Sequence, residues 1–212
     1  MPLSLTLDEA LLHLGTRLQS GRVMLGIAGP PGVGKSTVTA AVLQWAASSG
    51  WQAVCIPMDG FHLAQSVLDE RGHAAVKGAP HTFDGHGYAD LLRRVRNQRE
   101  NDATIWAPHF ERSIENAIAG SIAVTPQDRL VVTEGNYLLL EEDPWPAARS
   151  FVDQCWYLDL PDEVRRARLT ARHEGFGRSH REAAARANGS DEANARRVEA
   201  RRSFADVLVE TA

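Results

Sequence analysis

The segment Gly29-Pro30-Pro31-Gly32-Val33-Gly34-Lys35-Ser36 decides how this sequence is interpreted. It follows the apolar run Val23–Ala28 and precedes a helical pattern that continues to about residue 49. This strand, loop and helix context identifies the pattern G-x-x-x-x-G-K-[S/T] as a phosphate-binding loop rather than a chance glycine-rich turn. The glycines let backbone N–H groups turn inward to form an anion nest, and the following helix adds the positive end of its dipole.

The loop predicts a site for ATP and Mg²⁺. We expect Lys35 to reach the β- and γ-phosphates and Ser36 to place its hydroxyl on Mg²⁺, which prefers hard oxygen ligands. Lys35 is one of only two lysines beside 21 arginines, so few positions offer a compact ammonium. The residues predicted to bind the nucleotide are Gly29, Pro30, Pro31, Gly32, Val33, Gly34, Lys35, Ser36 and Thr37.

Two carboxylates follow predicted strands. Asp59 comes just after a strand predicted over 52–57, and Glu134 ends one predicted over 130–133. Ligands of parallel sheets bind at the carboxyl ends of the strands, so Asp59 is placed to orient an acceptor hydroxyl and take its proton. Glu134 is predicted as a second ligand of Mg²⁺. The alternative for each is a turn carboxylate beside Gly60 or Gly135.

The remaining pattern predicts an α/β protein. A helix capped by Thr6 is expected over 7–20 and another over 88–99, with further strands at 104–107, 121–124, 155–160 and 206–209. Continuously apolar strands separated by helices are typical of a parallel sheet covered on both faces. We therefore expect a P-loop NTPase fold with three α/β/α layers and a mostly parallel five-stranded sheet. Residues 1–212 are interpreted as a single domain with a helical, arginine-rich lid over 161–200.

Composition excludes several classes. The 212 residues are 43% hydrophobic with a formal charge of −4, unlike a disordered chain or a basic nucleic-acid binder. No run reaches the roughly 18 apolar residues of a membrane span. Residues 1–20 do not resemble a signal peptide. The isolated cysteines Cys55 and Cys155 favour a reducing compartment, so we expect a cytoplasmic protein without nucleic-acid or membrane partners.

A phosphate loop alone does not separate kinases from other NTPases. The guanine-binding motif N-K-x-D is absent because Gly34 and Val76 precede the two lysines. No sensor region of a motor ATPase is recognisable. A small-molecule kinase is therefore favoured, and the alternatives are an ATP-binding switch or an ATPase coupled to a partner.

Four further segments resemble a known family. They are Met58-Asp59-Gly60-Phe61-His62, Leu68-Asp69-Glu70-Arg71-Gly72, Lys77-Gly78-Ala79-Pro80-His81-Thr82-Phe83-Asp84 and Glu134-Gly135-Asn136-Tyr137-Leu138. Their order and spacing resemble bacterial type I pantothenate kinase and the wider uridine kinase and phosphoribulokinase group. The resemblance covers residues 22–210 and is nearest to a short bacterial branch called nucleoside/nucleotide kinase or fructose transport system kinase. It implies an ATP-dependent kinase of a small hydroxylated metabolite that can form a homodimer, with Asp59 as the catalytic carboxylate.

The departures from that family concern the acceptor. The pantothenate kinase pattern Pro-x-Tyr-Ser-His aligns with residues 108–112, where Phe110 replaces the tyrosine and Arg112 the histidine. Losing these polar groups argues against pantothenate itself. Arg112 is expected to bind an acidic acceptor or else to form a surface salt bridge. The residues predicted to bind the acceptor are Asp59, His62, Lys77, His81, Phe110, Arg112 and Asn136, although Lys77 could equally lie in an exposed loop.

The arginine-rich segment supplies the remaining catalytic candidates. Arg165, Arg168 and Arg172 recur at i, i+3 and i+7 of a helix predicted over 162–173, so all three are expected on one face. Such a face would neutralise the transferred phosphoryl group and exclude water. The alternative is a solvated face paired with acidic neighbours. We predict Arg168 and Arg172, together with Asp59 and Lys35, as catalytic.

Overall fold

A computed structural model describes residues 1–210, which form eight strands and eight α-helices. The strands are β1 (Leu3–Leu5), β2 (Val23–Ala28), β3 (Ala53–Pro57), β4 (Ile105–Glu111), β5 (Asn116–Val124), β6 (Leu130–Gly135), β7 (Gln154–Asp159) and β8 (Val207–Glu210). The helices are α1 (Leu7–Ser20), α2 (Lys35–Ser48), α3 (Gln65–Glu70), α4 (Gly85–Arg96), α5 (Trp145–Ser150), α6 (Asp162–Gly175), α7 (His180–Asn188) and α8 (Ser190–Glu199).

The central sheet has six strands within residues 1–210, in the order β1-β8-β7-β2-β6-β3, and all its pairings are parallel. The prediction of five strands was wrong. The strand that the sequence did not reveal is β1, whose three residues pair with β8 from Leu3↔Val207 to Leu5↔Val209. Three residues at an exposed edge are too few to show a periodicity.

The strands predicted at 104–107 and 121–124 do not join this sheet. They belong to β4 and β5, which form a separate antiparallel hairpin with an irregularity between Ala107 and His109. Exposed and buried side chains alternate along this part of β4, and Trp106 is 58% exposed, so only one face is covered. The hairpin packs on the 3₁₀ turn Met58–Phe61, where a Cβ on Gly60 would lie 2.4 Å from the carbonyl oxygen of Pro108.

Helices cover both faces of the sheet, which confirms the predicted α/β/α layers. One apolar core lies under α1 and α2, and the other under α4 and α5. The first helix begins after Thr6 as predicted, because Thr6 and Glu9 form a reciprocal capping box. Among residues 1–210, no helix has the length and apolar content needed to cross a bilayer.

The topology brings the motifs to one edge of the sheet. The carboxyl end of β2 leads into the phosphate loop, β3 into the turn that carries Asp59, and β6 ends at Glu134 and Gly135. Because β6 lies between β2 and β3, Glu134 stands between the loop and Asp59. The helices α6, α7 and α8 follow β7 from the same edge and span the residues predicted to act as a lid, and this segment is called the lid below.

Candidate active site

A cleft of about 690 Å³ opens at this edge, between the phosphate loop, the β4–β5 hairpin and the lid. It gathers residues from the phosphate loop, from the segments 58–62, 77–84 and 134–138, from the hairpin and from the lid, whereas none of residues 68–72 lines it. Four of the predicted site residues do not line the cleft, namely Gly29, Pro30, Val33 and His81. The predicted site residues that do are Pro31, Gly32, Gly34, Lys35, Ser36, Thr37, Asp59, His62, Lys77, Phe110, Arg112, Glu134, Asn136, Arg168 and Arg172.

The phosphate loop has the conformation of an anion nest. Gly32 and Gly34 have φ angles of 82° and 101°, in the left-handed region that favours glycine. No side chain caps the N-terminus of α2. The first N–H groups of a helix have no partner within the helix, so at this end they can bind a ligand. Val33, by contrast, has a fully buried side chain and anchors the loop. This cradle fits the phosphate groups of ATP.

Lys35 lies at the base of the nest. Its ammonium donates hydrogen bonds to the carbonyl oxygens of Gly29 and Pro30, at 2.9 and 3.2 Å, and to Oδ1 of Asn136 at 2.5 Å. Burial lowers the pKa of Lys35 to about 8. Asn136 was predicted to bind the acceptor, but the structure places it against the lysine of the phosphate loop. It therefore contributes to the nucleotide side of the cleft.

Ser36 and Glu134 form a pair of oxygen groups beside the loop. The Ser36 hydroxyl donates a hydrogen bond of 3.0 Å to Oε1 of Glu134. Burial raises the pKa of Glu134, and the nearby charge of Lys35 opposes that shift. A partly buried carboxylate next to a hydroxyl has the donor chemistry that Mg²⁺ prefers. The two residues predicted as metal ligands therefore fit that ion.

Asp59 lines the same cleft from the turn after β3, which lies two strands away from the strand that leads into the phosphate loop. Its side chain is 40% exposed, and its Oδ2 accepts a hydrogen bond of 3.4 Å from Nη2 of Arg112. Nδ1 of His62 donates to the backbone carbonyl of Asp59 at 2.8 Å, and burial lowers the pKa of His62. A neutral imidazole thus holds the turn, while the Asp59 carboxylate remains accessible to a ligand.

Lys77 and His81 occupy different places in the connection between β3 and α4. The Lys77 ammonium binds Oε1 of Gln65 at 3.0 Å and both the carbonyl and a carboxylate oxygen of Glu115, at 2.7 and 3.3 Å. With three oxygens for three protons, Lys77 anchors the cleft wall to the hairpin. His81 is exposed, packs edge-on against His73 and does not line the cleft.

The lid arginines divide into two groups. Arg168 and Arg172 line the cleft, whereas Arg165 is fully buried and pairs with Asp162 at 3.1 Å and with Glu192. The expectation that all three face the cleft was therefore wrong for Arg165. Its guanidinium is drawn to carboxylates at the start of α6 and on α8, which helical spacing alone does not reveal.

Comparison with known proteins identifies the family. No protein-family model matches the chain. A "Putative uridine kinase" of Schizosaccharomyces pombe is 35% identical over 197 residues, which cover 89% of this chain and 83% of the relative. The crystal structure of a "putative fructose transport system kinase" from Silicibacter sp. TM1040 has a TM-score of 0.87 and 37% identity, and covers 96% of this chain and 98% of that one. The chain belongs to the P-loop small-molecule kinases.

This P-loop kinase is also similar to longer relatives. The pantothenate kinase of Serratia proteamaculans is 32% identical over 161 residues, which are 71% of this chain and 49% of that kinase. The chain thus spans about half the length of the pantothenate kinases that it matches. The resemblance found in the sequence is confirmed, as is the prediction of an ATP-dependent kinase that acts on a small molecule.

Several lid residues of this P-loop kinase carry no sequence signal. His173 and Asp191 both line the cleft and are joined by a contact of 2.7 Å between Nε2 and Oδ2. Arg186 of α7 reaches across to the carbonyl oxygen of Lys77 at 3.4 Å. These partners are 18 and 109 residues apart, so no local motif joins them.

Proposed function

We propose that this kinase transfers the γ-phosphoryl group of ATP to a hydroxyl group of a small metabolite bound beside Asp59. Sugars, nucleosides and pantothenate-like molecules are the candidate classes. The observation that carries the proposal is the position of Asp59, an accessible carboxylate across one cleft from a phosphate loop. Phosphoryl transfer needs these two elements close together, because the protein mainly positions the reactants and neutralises charge.

The nucleotide side neutralises the phosphates. The N–H groups at the start of α2 and the Lys35 ammonium bind the phosphate chain. Arg168 and Arg172 bring guanidinium groups from the lid to the same cleft, where they stabilise the charge that develops on the transferred group. A lid in this position also excludes water and limits hydrolysis of ATP.

Ser36 and Glu134 would hold Mg²⁺. When bound, this ion neutralises phosphate charge and orients the β- and γ-phosphate oxygens. The Ser36 hydroxyl supplies one oxygen, and Glu134 binds directly or through water. The buried Glu134 carboxylate gains a second neighbouring cation beside Lys35, which favours its ionised form.

Asp59 acts on the acceptor. Its carboxylate accepts the proton of the acceptor hydroxyl as that oxygen forms a bond to the γ-phosphorus. The bond between the γ-phosphorus and the bridging oxygen breaks at the same centre, and the bridging oxygen leaves with ADP. Phe110, which is 7% exposed, and His62 form the wall behind the acceptor.

The variant Asp59→Asn tests this proposal. The amide cannot take the proton, so we expect turnover to fall by about 10²- to 10⁴-fold. ADP release and product mass are measured with Mg²⁺, ATP and a panel of acceptors, and ATP affinity is measured by calorimetry. The affinity should stay unchanged, because Asp59 is on the acceptor wall.

Asp90→Asn is the matched control. Asp90 lies on the exposed face of α4 and binds only Arg93 among residues 1–210, at 3.0 Å. This variant should keep full activity. An Asp59→Asn protein that phosphorylates its acceptor at the normal rate would overturn the proposal, as would ATP hydrolysis that requires Asp59 but forms no phosphorylated product.

A further inference from the structure

We propose that the acceptor carries an anionic group, a carboxylate or a phosphate ester, and that Arg112 binds this group. The inference rests on the proposed function and names the class of substrate. In this proposal, Arg112 makes the enzyme prefer hydroxylated anions to neutral sugars and nucleosides. The evidence is the set of contacts that Arg112 makes, together with the charges at the acceptor end of the cleft.

Arg112 is a weakly engaged guanidinium at the reaction site. It follows β4 at the tip of the hairpin and lies against Phe110, with its guanidinium carbon 6.0 Å from the ring centroid. Of its five N–H donors, one makes a long hydrogen bond of 3.4 Å to Asp59, and no other bonds to any of residues 1–210. The side chain is 42% exposed. A planar fork of free donors is suited to a carboxylate or phosphate.

The carboxylates at this end of the cleft are already paired with other groups. Glu115 binds Lys77 at 3.3 Å, and Asp191 binds His173 at 2.7 Å. Asp59 is the one carboxylate hydrogen-bonded to Arg112 within the described chain, and Glu134 is near enough for its charge to interact with that of Arg112. Two further cations that line the cleft, Arg178 and Arg186, form no ion pair with residues 1–210. The described residues that line the cleft thus include seven arginines and lysines against four aspartates and glutamates, which is an excess of positive charge.

Arg172 adds to this excess from the lid. It makes no hydrogen bond or ion pair with any of residues 1–210. Burial and the nearby charge of Arg112 lower the pKa of Arg172, and the carboxylates of Asp59, Asp191 and Glu134 oppose that shift. The two guanidiniums are therefore near enough to repel each other. An anion that reached both groups would remove that repulsion. A neutral acceptor would leave it in place.

The contact between Arg112 and Asp59 gives the anion a second effect. An anionic group that engages the guanidinium weakens its hold on the Asp59 carboxylate. The Asp59 carboxylate is then freer to accept the hydroxyl proton. Acceptor binding and proton transfer are thereby linked through a single arginine.

Inorganic phosphate is the first probe. The full chain is saturated with Mg²⁺ and a non-hydrolysable ATP analogue, so that the γ-phosphate position is filled, and phosphate is then titrated by calorimetry. We expect one saturable site in the wild type and an affinity at least tenfold weaker in Arg112→Gln. Arg93→Gln, an exposed arginine on α4, serves as the control and should bind phosphate normally. Equal affinity in Arg112→Gln, or no saturable binding in the wild type, overturns the proposal.

Turnover then distinguishes the two sources of negative charge. Neutral sugars and nucleosides, hydroxy acids, and sugar phosphates are tested as three separate pools, with ADP release and product mass as readouts. We expect activity in one of the two anionic pools and a drop of more than tenfold in kcat/KM in Arg112→Gln. Activity confined to the neutral pool overturns this inference and leaves the proposed function intact. A fully active Asp59→Asn protein overturns the proposed function and leaves this inference intact, because the variant leaves the phosphate titration unaffected.

Discussion

Gly32 of the phosphate loop lies directly against Leu169 of α6. A Cβ on Gly32 would lie 2.6 Å from Cγ of Leu169 and 2.9 Å from the carbonyl oxygen of Arg165. The Leu169 side chain is only 2% exposed, so α6 has no free space in which to move away from a larger residue at position 32. The same glycine therefore shapes the anion nest and allows the lid to pack on it.

The variant Gly32→Ala tests this double role. An alanine at φ 82° costs about 1 to 2 kcal/mol in backbone strain, and the clash with α6 adds to it. We expect a free energy of unfolding lower by roughly 2 to 4 kcal/mol and a weaker affinity for ATP. Urea denaturation and calorimetry measure the two quantities.

Gly175→Ala is the control for that variant. Gly175 is the last residue of α6, and no atom lies within 4 Å of the position its Cβ would take. Alanine should be neutral or slightly stabilising there, since it favours helix over glycine by up to about 1 kcal/mol. If Gly32→Ala were as stable as Gly175→Ala and bound ATP normally, the packing of α6 on the loop would not matter.

The variant Asn136→Ala tests the support of Lys35. It removes the hydrogen bond of 2.5 Å that holds the ammonium at the base of the nest. Hydrogen bonds to charged groups contribute about 1.5 to 3 kcal/mol, so we expect the affinity for ATP to fall by roughly tenfold or more. Calorimetry with Mg²⁺ and ATP measures the change. Asn97→Ala, at the exposed end of α4, should bind ATP normally, and an Asn136→Ala protein with that same affinity would contradict the prediction.

The sequence predicts the nucleotide side of this site better than its acceptor side. The phosphate loop is contiguous, and its position between an apolar strand and a helix is enough to place Lys35 and Ser36 in the cleft. Glu134 follows from the rule that parallel strands end at one edge. These predictions depend only on local pattern and strand direction.

The acceptor side depends on contacts between distant segments. Lys77 is held by Glu115 of the hairpin, 38 residues away, and Arg165 by Glu192, 27 residues away. Helical spacing correctly placed Arg165 on α6, but it could not indicate that a carboxylate on α8 draws its guanidinium into the interior. The hairpin was misassigned for a related reason, since short strands carry no sign of which sheet they join.

The pair of Arg165 and Glu192 provides a test of lid stability. The Arg165 side chain is 1% exposed, and its Nη1 is buried without a hydrogen-bond partner among the described residues. Arg165→Met leaves Glu192 paired only with the more exposed Arg166 and Arg196, so we expect a loss near the lower end of the about 3 to 5 kcal/mol that breaking a buried pair costs. Replacing both residues, as in Arg165→Met with Glu192→Leu, should recover part of that loss, because the carboxylate that loses its most buried partner is then absent. Urea denaturation of the single and double variants measures the coupling.

The control for this cycle is an exposed ion pair. Arg197 binds Glu142 at 2.9 Å with about half of each side chain exposed, so Arg197→Met should change stability by less than about 1 kcal/mol. A double variant no more stable than Arg165→Met would show that shape, rather than the buried charge, determines the cost.

A buried hydroxyl chain beneath Asp59 gives the last prediction. Thr133 of β6 donates a hydrogen bond of 2.7 Å to the carbonyl oxygen of Ile56 and lies 2.5 Å from the hydroxyl of Tyr88. Tyr88→Phe removes one hydroxyl and leaves Thr133 bonded to Ile56, so it should cost about 1 kcal/mol. Thr133→Val strands the Tyr88 hydroxyl in a fully buried position and should cost about 3 kcal/mol. Urea denaturation compares the two, and the double variant should be more stable than Thr133→Val alone, because the stranded hydroxyl is gone. Equal losses of unfolding free energy in the two single variants would mean that the hydroxyls of Tyr88 and Thr133 do not act as a unit.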